Sequence, residues 1–452
     1  MTPEAITAFL AEHNIQKVKY AFADINGVLR GKVISTRKFL DGLTNGFGFC
    51  DVVWGWDMTD APYDNGSTTG WQSGYPDAPV RLDLDTFRQV PWDNDIPFFL
   101  ADFSRADGND LPACPRSLLK RVVAQGREMG FVAQMAKEFE WFMFRESPQS
   151  LANKGFHNPE PLTPGMFGYS ILRPSLETDL TNDLFDLLTR FDIPLEGLHT
   201  ETGPGVYEAA IHHDDALRAA DKAVLFKTAV KEIAYRHGLV ASFMAKWNAD
   251  LPGCSGHIHQ SLWNPEKSQN LFFDPAESGN MSELMQQFMA GQLHCLPYIM
   301  PMFAPTINSY KRLVEGAWAP TTVTWSVDNR TTALRVLNHN ETYCRVEHRV
   351  SGADTNPYLA MAASLASGLY GIRHGLELTI PASTGNGYAD KQHGVLPTNL
   401  ADATHQMADS PVAAELFGPE FVDHFTRTRN WETRQYAQHV SDWELKRYFE
   451  II

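Results

Sequence analysis

Cysteine is scarce in this chain: Cys50, Cys114, Cys254, Cys295 and Cys344 stand far apart along 452 residues and form no C-x-x-C pair. That spacing excludes a disulfide framework and a cysteine zinc site. No run of about 20 apolar residues occurs, so no membrane-spanning helix is expected. The first residues, MTPEAITAFLAEHN, carry Glu4 and Glu12 and no basic segment leading into an apolar stretch, unlike a secretory signal. A reducing, cytoplasmic setting is the expectation. Basic residues form no run, and 38 Lys+Arg against 54 Asp+Glu leave a formal charge of -16. Nucleic acid and anionic lipid therefore find no electrostatic foothold. A GxxxxGK[ST] loop, the kinase signature set, internal repeats and low-complexity segments are also missing.

What is present is apolar mass: 43% hydrophobic and 12% aromatic residues, including 27 Phe and 11 Trp. Such a chain folds, and its length predicts two domains with one dominant. A first helix is expected from about Pro3 to His13. Asn26-Gly27 lies between two strand-like stretches and signals a hairpin. Residues 1 to 105 read as strand-rich. The turn-forming DGNDLPACP then precedes a helical segment, so the boundary is set near residue 106. Beyond it, Ala219, Ala223, Phe226, Val230 and Ile233 mark a helix from about Asp215 to His237, with Gly238 as its cap. Ser441 and Glu444 form a capping box for a last helix. Strands and helices mix without strict alternation, which points to an α+β fold.

Acids and histidines appear where a core should be. In Glu138-Phe-Glu-Trp-Phe-Met-Phe144, period-two alternation puts Glu138 and Glu140 on one face of a buried strand. Glu201 and Glu208 flank Gly203-Pro204-Gly205, a turn that brings both carboxylates to one end of a sheet. His257 and His259 project to one side of an extended chain after small residues. Arg345, Glu347 and Arg349 share another strand face. Taken singly, each has a bland explanation: a wet strand end, structural histidines, a surface ion-pair ladder. Taken together, five carboxylates and a histidine make the hard, oxygen-rich set expected for magnesium or manganese. Arginines beside such a set suit phosphoryl transfer, in which charge spreads over equatorial oxygens.

The motifs DINGVLRGK (24 to 32), EFEWF (138 to 142), ETGPGVYE (201 to 208), FMAKW (243 to 247), GCSGHIHQS (253 to 261), NSYKRLVEGAWAP (308 to 320), DNRTTALRV (328 to 336), CRVEHRVSGADTNPYL (344 to 359) and GNGYAD (385 to 390) follow one another along nearly the whole chain. In this order they resemble the glutamine synthetase superfamily. The resemblance implies a small β-grasp N-terminal domain (1–105) and a large catalytic domain (106–452), whose curved antiparallel sheet is surrounded by helices and forms a funnel-shaped site. It also implies homo-oligomeric stacked rings, a dodecamer, with each site completed by a neighbour's N-terminal domain. By the same resemblance Glu140, Glu201 and Glu208 hold one Mg2+ or Mn2+, and Glu138, His257 and Glu347 a second. Arg312, Arg349 and the backbone at Gly253 hold substrate glutamate. Arg330, Arg335 and Arg345 lie on ATP and the transferred phosphate, with His259 and Ser261 beside them and His213 against the adenine. Arg330 is expected to act catalytically, as is Asp64, which with Trp71 aligns with the loop that enters the neighbour's site.

One departure matters more than the matches. Glutamine synthetases carry a glutamate immediately before the Ala-Pro that follows NSYKR, where it binds ammonium and takes its proton. Here that residue is Trp318. An indole cannot attract a small cation as a carboxylate does, but it packs against the carbon skeleton of a larger amine. The sequence thus resembles the γ-glutamylamine ligases, which join glutamate to a primary amine with ATP as the first step of amine catabolism. The alternatives are a glutamine synthetase in which Glu315 or Asp64 replaces the missing acid, and a non-catalytic ring-forming scaffold.

Overall fold

Alternation of large apolar residues builds the first of two sheets in a computed structural model that describes Met1–Ile452. Strands β1 (Lys17–Ala23) and β2 (Leu29–Ser35) pair antiparallel, with Ala23 opposite Leu29. The expected hairpin is there, but its connection is longer than a two-residue Asn-Gly turn. Asp24 accepts the backbone N–H groups of Asn26 (2.9 Å) and Val28 (3.0 Å), and Gly27 takes φ +82°. With β3 (Phe47–Cys50), β4 (Asp77–Val90) and β5 (Ile96–Phe103) the order is β2-β1-β5-β4-β3, and β1 and β5 run parallel. Helices Pro3–Glu12 and Thr36–Asn45 bring Ile6, Leu10 and Phe39 into one apolar cluster with Val18, Phe22, Phe99 and Phe103.

The second sheet has nine strands: β6 (Val132–Phe144), β7 (Leu195–Thr200), β8 (Val206–Ile211), β9 (Asp214–Asp215), β10 (Val240–Ser242), β11 (Gly256–Trp263), β12 (Trp325–Val327), β13 (Leu334–Leu337) and β14 (Arg345–His348). Its main order is β12-β13-β14-β11-β6-β8-β7, and β9 and β10 also pair with β6. The sheet is antiparallel except at one edge, where β12 runs parallel to β13. There residues 328 to 333 loop out and return the chain to the start of the neighbouring strand.

Strand β6 carries Phe139, Trp141 and Met143 on a fully buried face. Helix Ala216–Arg236 covers that face, stacking Phe226 on Phe139 with ring centroids 5.6 Å apart. Gly238 at φ +71° ends it as expected, and the Ser441–Glu444 capping box is also present. With one face sealed by aromatics, Glu138 and Glu140 can only point to the other. The architecture is α+β. No helix is long and apolar enough to cross a membrane, and all five cysteines are free thiols.

One buried guanidinium ties the sheets together. Arg116, on helix Pro115–Glu128, donates to Asp102 of β5 (3.0 Å), to both oxygens of Asp221 on helix Ala216–Arg236 (2.8 and 2.9 Å), and to Asp83 of β4 (2.8 Å). Tyr358 OH adds a further bond to Asp221 at 2.7 Å. Breaking such a pair leaves charges buried without compensation, at a cost of about 3–5 kcal/mol. Arg116→Met should therefore lower the calorimetric melting temperature clearly, and adding Asp102→Asn and Asp221→Asn should restore much of it. A single variant as stable as wild type would show that the network does not hold the sheets.

Candidate active site

The open face of the nine-stranded sheet collects side chains by register. Glu140 of β6 stands opposite Glu208 of β8, Glu138 of β6 opposite His257 of β11, and His259 of β11 opposite Glu347 of β14. Each strand contributes through residues two apart, so E-x-E and H-x-H become one surface. His257 Nδ1 lies 3.0 Å from Glu138 Oε1 and 3.3 Å from Glu347 Oε1. His259 Nε2 lies 3.3 Å from Glu138 Oε2, so His259 also belongs to this cluster.

Guanidiniums close the β14 end. Arg335 Nη1 is 2.9 Å from Glu347 Oε2, and Arg349 Nη1 is 2.5 Å from Oε1. Burial alone would raise the Glu347 carboxyl, yet Arg349 and the two imidazoles hold it down at about 2. At the β8 end the balance reverses. Burial pushes Glu208 far above the ordinary carboxylate range, and the charges of Glu138, Glu140 and Glu201 push the same way. Arg345 Nε is 3.2 Å from His259 Nδ1, which keeps Arg345 beside the cluster.

Other residues are placed less simply. Arg312 is buried and donates to Val350 O (2.9 Å), Ser255 Oγ (3.0 Å) and Arg349 O (3.2 Å), so most of its fork braces the strand end that carries Arg349. Its Nε–H has no partner. Gly253 sits where a Cβ would meet Ala245 O at 2.4 Å and Arg312 Cγ at 2.8 Å, so only glycine lets these segments close on each other. Ser261 lies farther along β11 and accepts from Trp263 Nε1 at 2.9 Å. His213, on the connection between β8 and β9, is exposed and stacks on His212. Asp64 is not brought to the cluster of its own chain. It pairs with Arg434 on helix Pro419–Gln438, with Oδ2 to Nη1 at 3.0 Å, while Trp71 projects into solvent and Glu315 pairs with Lys391 at 3.4 Å.

Two residues escaped the sequence reading. His199, opposite Glu208 in the β7–β8 pair, has Nε2 at 3.3 Å from both Glu201 Oε1 and Glu208 Oε1. Tyr169 stacks on its ring at 4.8 Å, and burial together with the adjacent Glu201 carboxylate raises the Tyr169 phenol. A signal was available for His199, since H-x-E repeats the two-residue spacing of E-x-E and H-x-H. Tyr169, from a non-repetitive segment, had none.

At the β12 edge of this sheet an open cleft of ≈ 690 Å³ is lined by Trp318, Asp328, Arg330, Thr331, Ser383 and Thr384, among others, but by none of the clustered carboxylates. The family described as "Glutamine synthetase, catalytic domain" matches residues 112–448. The chain belongs to this family. It is 51% identical over 438 residues to the type-1 glutamine synthetase 2 of Dictyostelium discoideum, covering 96% of this chain and 84% of the relative. It is 36% identical over 447 residues to the glutamate–isopropylamine ligase of a Pseudomonas species, covering 98% and 97%. The solved structure of apo GmaS without ligand matches at TM-score 0.84 and 27% identity over 98% of each chain.

The chain is thus an ATP-dependent ligase of the glutamine synthetase family, whose members use ATP and divalent metals. The residues present fit such cations. The donors are oxygen-rich, the carboxylates around Glu208 repel one another, and the buried His257 Nε2 has no partner. Glu208→Gln removes the carboxyl whose ionisation burial and its neighbours oppose. In EDTA the variant should melt at or above the wild-type temperature. With Mg2+ at a hundred times its Kd, wild type should gain about 2.7 kcal/mol and the variant less. Calorimetry with and without the cation decides it: equal gains would remove Glu208 from the site.

Proposed function

We propose that this chain joins the γ-carboxylate of glutamate to a primary organic amine, with ATP converted to ADP and phosphate, through a γ-glutamyl phosphate. Trp318 carries the reading. Its indole is 57% exposed at the cleft, and its backbone holds φ +62°, a conformation that costs a bulky residue about 1–3 kcal/mol. The one acid lining the cleft, Asp328, is engaged by Arg335 at 3.0 Å. A small cation therefore meets an indole and a neutralised acid, while a carbon skeleton meets an apolar surface.

In this reading the chain divides into a β-grasp unit (1–105) and a catalytic unit (106–452), and it assembles as stacked rings. Arg349, braced by Arg312, holds glutamate together with the backbone at Gly253. Arg330, Arg335, Arg345, His259 and Ser261 face the nucleotide and the migrating phosphoryl group, with His213 at the adenine. Glu138, His257 and Glu347, and separately Glu140, Glu201 and Glu208, would hold divalent cations, which when bound supply the positive charge that phosphoryl transfer needs. The amine nitrogen attacks the acyl carbon, phosphate leaves, and the nitrogen loses a proton to a carboxylate, for which Asp64 of a neighbouring subunit is the candidate. A second reading, glutamine synthetase proper, is favoured by the 51% identity to a relative of that name.

Each buried methylene contributes about 0.8 kcal/mol, so two or three against Trp318 contribute roughly 1.6 to 2.4 kcal/mol, or about 15- to 60-fold. Trp318→Ala should lower kcat/KM for organic amines by about that factor with little change in the KM for ATP, and Trp318→Glu should gain activity with ammonium. Steady-state assays over ammonium and a panel of alkyl, aryl and polyamine acceptors test this. Ammonium as the best wild-type acceptor would decide for the second reading. Assembly has its own test: inactive Asp64→Ala subunits mixed with inactive Glu347→Ala subunits should regain activity, whereas fully active monomers would refute shared sites.

A further inference from the structure

The cluster at the β7–β8 end contains one residue that the carboxylate set does not require. His199 and Glu201 lie two residues apart at the end of β7, and Glu208 faces His199 across the strand pair. Nε2 of His199 is 3.3 Å from one oxygen of each glutamate, and all three donor atoms lie within 4.8 Å of one another. Adjacent ligands of an octahedral cation bound at about 2.0–2.1 Å stand about 2.9 Å apart, so the two 3.3 Å separations from His199 need only a small contraction to become edges of one coordination shell. Glu140 is differently placed: its Oε2 already accepts the backbone N–H of Ser255 at 2.6 Å. The imidazole orientation is set by Tyr169, stacked on it with centroids 4.8 Å apart and planes 10° apart.

We infer that His199 is a nitrogen ligand of the cation held by Glu201 and Glu208. The inference rests on the reading of those glutamates as ligands. Nε2 lies 3.3 Å from both carboxylates, and a bound cation would sit between these three donors. A nitrogen donor shifts preference among divalent ions, because imidazole is a better partner for transition metals than for magnesium. His199 therefore biases this position towards Mn2+ over Mg2+.

The test uses the full-length protein without nucleotide. Mn2+ and Mg2+ are titrated calorimetrically into wild type, His199→Ala, His199→Asn and Glu201→Gln, and 14N modulation is recorded on the Mn2+-loaded proteins by pulsed electron paramagnetic resonance. Melting in EDTA establishes that each variant is folded. His199→Ala should weaken one class of Mn2+ sites by about 10- to 100-fold. It should weaken Mg2+ less, and it should reduce the 14N modulation without abolishing the part due to His257. His199→Asn should not restore the modulation or the Mn2+ affinity. Full rescue by Asn means that His199 only hydrogen-bonds the carboxylates, and unchanged affinity and modulation in His199→Ala means that it only packs; either result overturns the inference. Glu201→Gln separates the two levels. If it weakens a class of sites and His199→Ala does not, only the histidine assignment falls; if it weakens none, the carboxylate reading falls first.

Discussion

Carboxylates crowded on one face of a sheet whose other face is sealed by aromatics are the constraint around which this molecule is arranged. Acids seldom enter such a position, because an unpaired buried charge is expensive. The two ends of the face answer this differently. At β14, Glu347 lies between Arg335 and Arg349, while His257 and His259 hold Glu138. At β8 no arginine or lysine pairs with Glu208, and its carboxyl is driven upward by its neighbours. One end of the face thus carries guanidiniums beside its acids, and the other carries acids without them.

The scaffold keeps that crowded face from relaxing. Phe139 stacked on Phe226 fixes β6 against helix Ala216–Arg236. The same helix contributes Asp221 to the Arg116 network, which reaches Asp102 and Asp83 in the five-stranded sheet. Helix Pro419–Gln438 grips residues 57 to 68 through the Trp431–Asp57 (2.9 Å) and Asp423–Ser67 (2.6 Å) bonds. The loop carrying Asp64 is thus positioned by the C-terminal part of its own chain. Registers between strands that are remote in sequence then hold the donor groups within about an ångström of one another's hydrogen-bonding range, the kind of preorganisation that electrostatic catalysis relies on.

The cleft residue Trp318 stands on a different kind of element from the charged cluster. The charged residues line strands, where geometry is stiff, whereas Trp318 stands on a loop with left-handed backbone beside Gly316 at φ +82°. Loops on a rigid sheet can change what they present without moving the donors below them. A single residue there changes the surface that the cleft presents, while the charged strands are untouched.

Much of this was legible in the sequence. Glu138, Glu140, His257 and His259 announced a shared face because side chains in a strand alternate with a period of two, and helix Ala216–Arg236 with its following Gly238 was readable from its apolar spacing. The hairpin at Asn26-Gly27 was readable too, although not the length of its turn, which depends on Asp24 folding back to bind Asn26 and Val28. What the chain order could not decide was register and approach between distant segments. That His199 meets Glu208, that Arg312 turns inward to Val350 and Arg349, that β12 runs parallel to β13, and that Asp64 rests on Arg434 are contacts between residues 9 to 370 positions apart. Local pattern states which way a side chain leaves its own strand; only the packed sheet, by bringing particular strands into register, determines which partner it finds there.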